Sequence, residues 1–152
     1  MIHIMAEIRI TKEFTFEAAH MLKGYDGLCK NIHGHSYKLR VTIIGQPNTN
    51  VNSPKLGMVM DFGDLKRIVY ENIINAYDHA LVVNESENEE KKMHLKAGTE
   101  KVIFTVFQPT SENMVDEFAR IIANKLPDHL KLYSIRLYET ANSYAEWHAT
   151  DN

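Results

Sequence analysis

Between residues 8 and 20 apolar and polar side chains alternate. Ile8, Ile10, Phe14, Phe16, Ala18 and His20 share one parity, interrupted by Lys12, while Arg9, Thr11, Glu13 and Thr15 share the other. Successive side chains of a strand point to opposite faces, so this period of two predicts a half-buried strand. Gly24, Asp26 and Gly27 mark a loop over 21–32. A second strand follows over 33–44, where His33, His35, Tyr37, Leu39, Val41 and Ile43 alternate with Ser36, Lys38, Arg40 and Thr42. A turn-rich connection covers 45–54. The period then changes. Leu65, Ile68, Val69, Ile73 and Ala76 recur at helical spacing, with Asp61 or Asp64 as the cap, and predict a helix over 62–77. Residues 84–96 are strongly charged without apolar periodicity and read as an exposed excursion, which extends to about 106. The apolar run 102–107 reads as a strand or as the end of that excursion. Pro109-Thr110-Ser111 starts a second helix with Met114, Val115, Phe118, Ile121, Ile122 and Leu126 on one face, and Pro127 ends it. Two further strands, 133–139 and 144–148, are joined by a turn around Ala141-Asn142.

The resulting order is ββααββ. Paired strands with intervening helices predict an α+β fold, with a four-stranded antiparallel sheet carrying two helices on one face. Such a sheet has two open edges, which must be blunted or paired with other subunits. Residues 1–152 read as a single domain.

Composition changes this picture little. With 44% hydrophobic and 24% charged residues the chain is ordinary for a globular protein, and at this size it needs no disulfide or metal to fold. The net charge of -3, from 17 basic and 20 acidic residues, argues against non-specific nucleic-acid binding. A single cysteine, Cys29, excludes an intramolecular disulfide and points to the cytoplasm. No apolar run approaches the length of a membrane span, and the N-terminal MIHIMAEIRI lacks the charge and apolar pattern of a secretory signal.

The candidate chemistry begins at His33-Gly34-His35. Residues two apart on a strand project from one face, and hairpin-like pairing brings His20 alongside. Three neutral imidazoles on one face suit Zn2+, with the fourth tetrahedral position left open. Eight histidines in the chain also make an accidental His-x-His plausible, and His3, His94, His129 and His148 show no partner pattern. Cys29, four residues before His33, has three readings: a fourth ligand, a base or nucleophile favoured by a nearby cation, or a small buried apolar group. Asp78 beside His79 can set an imidazole tautomer for proton transfer, although histidine also follows helix C-termini because of the dipole. Glu139 carries the inward parity of Tyr133, Ile135 and Leu137, so its carboxylate must be paired. It suits a guanidine-like ligand edge, or a salt bridge.

These signals occur in one order: Phe16-Glu17-Ala18-Ala19-His20, Cys29-x-x-x-His33-Gly34-His35, Gly57-Met58-Val59-Met60-Asp61-Phe62, Asp78-His79-x-Leu81, Pro109-Thr110-Ser111-Glu112-Asn113 and Tyr138-Glu139-Thr140. From about residue 8 to 148 the chain resembles the 6-pyruvoyltetrahydropterin synthase / 6-carboxytetrahydropterin synthase family. The resemblance implies a tunnelling fold (T-fold), in which subunit sheets join into an oligomeric barrel, usually a homohexamer built as a dimer of trimers, with active sites at subunit interfaces. It further implies catalytic zinc on His20, His33 and His35, proton abstraction by Cys29, a relay through Asp78 and His79, and a pterin anchored by Glu139, with Thr110 and Glu112 as further pocket candidates. The three-residue gap from Cys29 to His33 resembles the 6-carboxy-5,6,7,8-tetrahydropterin synthase branch of queuosine biosynthesis. That branch implies a lyase converting 7,8-dihydroneopterin triphosphate to the 6-carboxy product, acetaldehyde and triphosphate. The alternatives are a 6-pyruvoyltetrahydropterin synthase, which eliminates triphosphate but keeps the side chain, and a non-catalytic zinc- or pterin-binding member. The charged segment 84–106 is longer than in compact members of the family.

Overall fold

A computed structural model of the chain describes residues 6–152, so the reading of the extreme N-terminus, His3 included, lies outside the described residues. The first strand, β1, spans Ile8–His20, and the second, β2, spans His33–Gly45. They pair antiparallel along their whole length, from Ile8 opposite Gly45 to His20 opposite His33. The alternation does this work: Phe14, Phe16 and Ala18 of β1 and Tyr37, Leu39, Val41 and Ile43 of β2 are buried on one face.

The first helix begins at α1 (Phe62–Val69), passes through a π-helical turn at Tyr70–Ile74 and ends in α2 (Asn75–Tyr77). Of the two candidate caps it is Asp61 that closes the N-terminus, accepting from the Gly63 N–H at 2.7 Å. The Asn72 side chain donates to the Ile68 carbonyl at 2.7 Å beside the π turn. Later in the chain come β3 (Ala80–Asn84), α3 (Glu89–Gly98), β4 (Val102–Thr105), α4 (Ser111–Ala123), β5 (Lys131–Tyr138) and β6 (Tyr144–His148). The Thr110 hydroxyl caps α4 by accepting from the Asn113 N–H.

The sheet has six strands, in the order β4-β3-β1-β2-β5-β6. The expected four-stranded antiparallel sheet is present as β1-β2-β5-β6, with a register shift at Thr42/Ile43. Two parallel strands extend it: β3 pairs with β1 at Ala18–His20, and β4 pairs with β3. The sheet is therefore mixed, not purely antiparallel. The physical reason is that Ala80–Val83 is buried on both faces, so β3 shows a short apolar run and no alternation.

The charged excursion is the crossover of this parallel pair. Asn88 caps α3 by accepting from the Lys91 N–H at 2.8 Å. α1 and α4 pack on one face of the sheet, over the core of Phe16, Tyr37, Leu65, Phe118 and Leu137. α3 lies on the other face, where Leu95 meets Leu81, Val83, Val102 and Phe104. Two helices on one face is thus correct, and a third covers part of the opposite face. Among the described residues no helix is long and apolar enough to cross a membrane.

Candidate metal centre and relay residues

The register of β1 and β2 brings three imidazoles together. His20 stands opposite His33, and His35 follows two residues on, on the face that carries Phe16 and Tyr37. Ring centroids lie 4.5 Å apart for His20 and His33, 5.1 Å for His20 and His35, and 5.0 Å for His33 and His35. One ring nitrogen from each falls within 4.8 Å of the others. His20 is 2% exposed, and Tyr37 packs edge-on to both His20 and His35.

The outer nitrogens decide what the inner ones can do. His20 Nδ1 donates to the Pro109 carbonyl at 2.7 Å, and His33 Nδ1 donates to the Asn31 carbonyl at 2.8 Å. A carbonyl only accepts, so both Nδ1 atoms carry hydrogen and both neutral rings present a lone pair at Nε2. Those two Nε2 atoms face each other at 2.9 Å. Relieving that opposition by protonating a ring is disfavoured, because burial pushes the His20 pKa below the ordinary imidazole value. Burial lowers His35 as well. His35 Nε2 is buried without a hydrogen-bond partner, since Glu139 Oε1 at 3.1 Å lies off the bonding direction. Three ring nitrogens converging in this way fit a zinc ion. The 2.9 Å separation is within a few tenths of an ångström of the roughly 3.3 Å that two nitrogens take on one tetrahedral ion.

Glu139 follows β5 directly. Its Oε2 accepts from the Ser111 hydroxyl in the first turn of α4. Residues 109–111 therefore touch both His20 and Glu139. The carbonyls of Pro109 and Asn31 escaped the sequence reading, because backbone acceptors carry no residue signature, and Ser111 stood there only as part of the helix start. Tyr37 could have been found from its shared parity with His33 and His35. Thr110 has its capping bond, and Glu112 is exposed beside a depression it shares with Asp116, Tyr144 and Trp147.

Cys29 sits on a single 3-10 turn, Leu28–Lys30, and is half-exposed. Its sulfur does not join the histidine cluster. The base of its loop is held by Gln108, whose amide accepts from the Lys23 N–H at 3.2 Å and donates to the Lys23 carbonyl at 2.9 Å. The Lys23 ammonium also donates to the Ser86 carbonyl in the turn before α3. Gln108→Ala is expected to remove about 1 kcal/mol of stability, read from the urea midpoint, and to speed alkylation of Cys29 while leaving metal content unchanged. An unchanged alkylation rate would show that the loop is held elsewhere.

Asp78 and His79 pair with each other. His79 Nδ1 lies 3.0 Å from Asp78 Oδ2, and the His79 side chain is 77% exposed. The Glu17 N–H donates to Asp78 Oδ1 at 2.9 Å, and this bond is the main reason the Asp78 carboxyl lies below its ordinary pKa. Neighbours normally point apart, but His79 has a left-handed φ of 59°, which turns it back. His79 borders a depression of about 370 Å3 together with Glu17, Ala19, Gly34, His35 and Ser36. Thus one chain unites His20, His33, His35 and Glu139, and holds Asp78 and His79 as a separate pair. A larger depression of about 790 Å3 lies beyond the far end of β2, around Gln46, Lys55, Asp61 and Arg67. Lys55 pairs there with Asp61, and Arg67 with Asp64.

The sequence model of the family described as 6-pyruvoyl tetrahydropterin synthase matches residues 9–150. The 6-carboxy-5,6,7,8-tetrahydropterin synthase of Haemophilus influenzae is 40% identical over 143 residues, which span 91% of this chain and 97% of that relative. The enzyme of the same name from Rickettsia bellii is 32% identical over 142 residues, 91% of this chain and 99% of the relative. Among solved structures, an uncharacterized protein of Wolinella succinogenes superposes with a TM-score of 0.76 at 19% identity, covering 95% of this chain and 99% of that one. The 6-pyruvoyl tetrahydropterin synthase of Caenorhabditis elegans gives 0.67 at 24% identity, covering 95% and 97%. With the family match spanning nearly every described residue and the tunnelling fold shared with these structures, the chain belongs to the 6-pyruvoyl tetrahydropterin synthase family.

Proposed function

We propose that the protein is a zinc-dependent 6-carboxy-5,6,7,8-tetrahydropterin synthase, a carbon-carbon lyase of queuosine biosynthesis acting in the cytoplasm. It would convert 7,8-dihydroneopterin triphosphate and one water to 6-carboxy-5,6,7,8-tetrahydropterin, acetaldehyde and triphosphate. The observation that carries this reading is the set of three convergent imidazole nitrogens, two of them committed to the metal-ready tautomer by carbonyl partners. Relatives that bear the name 6-carboxy-5,6,7,8-tetrahydropterin synthase support this reading.

His20, His33 and His35 would hold the zinc, which when bound supplies Lewis acidity toward substrate side-chain oxygens and lowers their pKa. The Pro109 and Asn31 carbonyls orient the rings. Cys29 serves as the base that removes a substrate proton. Asp78 stays ionised, engages His79 Nδ1 and leaves Nε2 free to exchange a proton. Glu139 accepts the paired N–H groups of the pterin edge, with the Ser111 hydroxyl fixing one of its oxygens. Thr110 and Glu112 remain candidates for the rim of that pocket.

Cys29, Asp78 and His79 stand outside the histidine cluster of their own chain, so the complete site is proposed to form between copies of the chain. Among the described residues the outer edge of β1 pairs with no strand from Ile8 to Glu17, and β6 is an end strand of the sheet. Joining such edges would close subunit sheets into a barrel, here a hexamer of two trimers.

Glu139→Ala is expected to weaken pterin binding about ten- to a hundredfold, because ligand donors lose their acceptor, while zinc content is retained. Glu139→Gln is expected to be impaired too, since its amide sets a donor against a donor. Fluorescence titration of both variants checks this, and wild-type affinity in Glu139→Ala would remove the residue from the pocket. The reaction itself is tested by incubating the protein with 7,8-dihydroneopterin triphosphate. One acetaldehyde per triphosphate supports the reading. Triphosphate without acetaldehyde would assign the 6-pyruvoyl reaction, and no turnover would leave a binding protein.

A further inference from the structure

His79 is the non-glycine residue with positive φ among the described residues, at 59°. Such a backbone costs on the order of 1 kcal/mol for a residue with a Cβ, so its surroundings must enforce it. Two of the enforcing bonds come from β1. The Glu17 N–H holds Asp78 Oδ1 at 2.9 Å, and the Glu17 carbonyl accepts from the His79 N–H at 2.6 Å. The third constraint comes from the end of the charged crossover. The Lys101 ammonium donates to the Asn75 carbonyl at 2.8 Å and to the Asp78 carbonyl at 2.6 Å.

These are the carbonyls at the close of the first helix. The last carbonyls of a helix lack intrahelical partners and are commonly closed by a glycine just past the end. Here the residue in the left-handed position is His79, and a lysine more than twenty residues away completes the terminus. Its positive charge also suits the negative end of the helix dipole. The lysine is itself fixed, because its own carbonyl accepts from the Leu81 N–H at 2.9 Å.

We propose that Lys101 is a positioning residue for His79. It locks the helix terminus so that His79 keeps its left-handed backbone and its imidazole stays against Asp78. It touches neither substrate nor metal. This inference rests on the reading of Asp78 and His79 as the proton relay. It also gives the 84–106 crossover a task, since Lys101 is carried at the entry to β4 and the turn before α3 steadies the Cys29 loop through Lys23.

The test compares Lys101→Met, Lys101→Gln and Lys101→Arg with His79→Ala in the assembled protein. It measures kcat and KM for 7,8-dihydroneopterin triphosphate, zinc content, and the His79 imidazole signals by 1H–15N NMR. Lys101→Met is expected to lower kcat about ten- to a hundredfold with KM within about twofold, because a small displacement of a proton-transferring group is costly. Zinc content stays unchanged, and the His79 ring signals shift or broaden. Lys101→Arg, whose guanidinium can donate to both carbonyls, restores kcat to within about threefold. Lys101→Gln, which keeps a neutral donor, shows an intermediate loss and serves if the methionine variant fails to fold. Full kcat and unshifted His79 signals in a folded Lys101→Met or Lys101→Gln protein, with His79→Ala impaired, would overturn the role of Lys101 and leave the relay intact. A raised KM with normal kcat would overturn it as well. Full turnover in His79→Ala would remove the relay, and this inference with it.

Discussion

His35→Ala is expected to bind zinc at least a hundredfold more weakly than the unaltered chain, and His33→Ala to do the same. Altering a group that merely orients a ligand costs roughly ten- to a hundredfold in metal affinity, so deleting a ligand should cost no less. The geometry makes the loss hard to repair. The remaining two nitrogens come from rings already tied to the Pro109 or Asn31 carbonyl, or from His35 beside Glu139. Cys29 does not join the cluster, so no sulfur stands ready to replace the missing imidazole. The fold should survive in His33→Ala and His35→Ala, because both rings are only partly buried, unlike His20. Metal analysis after dialysis against a weak chelator reads the effect. Full occupancy in both variants would remove these histidines from the metal site.

Cys29→Ala is expected to keep its zinc and its assembly while losing turnover by about a hundredfold or more, the usual scale for a positioned proton-transfer group. The 3-10 turn carrying Cys29 is held by main-chain bonds, including Leu22 N–H to the Cys29 carbonyl at 3.0 Å, which the substitution leaves in place. Turnover and zinc measured on one preparation separate the outcomes. Lost turnover with retained zinc fits a base, whereas lost zinc would make the thiol a fourth ligand and the site a closed, structural one.

The sheet could be read wherever burial is one-sided. β1 ran from Ile8 to His20 as its alternation indicates, and β6 from Tyr144 to His148. β3 could not be read this way, because a strand buried on both faces loses the alternation that marks it. α3 was hidden for the opposite reason. Its sequence, EEKKMHLKAG, has a polar surface almost all round, and Leu95 is the one apolar side chain it packs against the far-face cluster, so helical periodicity is faint. The π turn at Tyr70–Ile74 was also silent, since one extra residue per turn barely disturbs a pattern in which Ile73 and Ile74 are both buried. At the site, the three histidines were legible from strand parity, and Glu139 from its inward position. The bonds that fix their tautomers and orientation were not, because they end on backbone carbonyls brought in from 89 residues away in the case of Pro109. Nor does adjacency reveal that Asp78 and His79 meet; that depends on a left-handed φ which Lys101 and β1 impose.

X-ray absorption at the zinc edge of the metal-loaded protein reports directly on an open three-histidine zinc site. The predicted first shell is three nitrogens and one oxygen, all at about 2.0–2.2 Å, with multiple scattering from three imidazoles. A sulfur at about 2.3 Å would contradict it, placing Cys29 on the metal and closing the position that substrate must take.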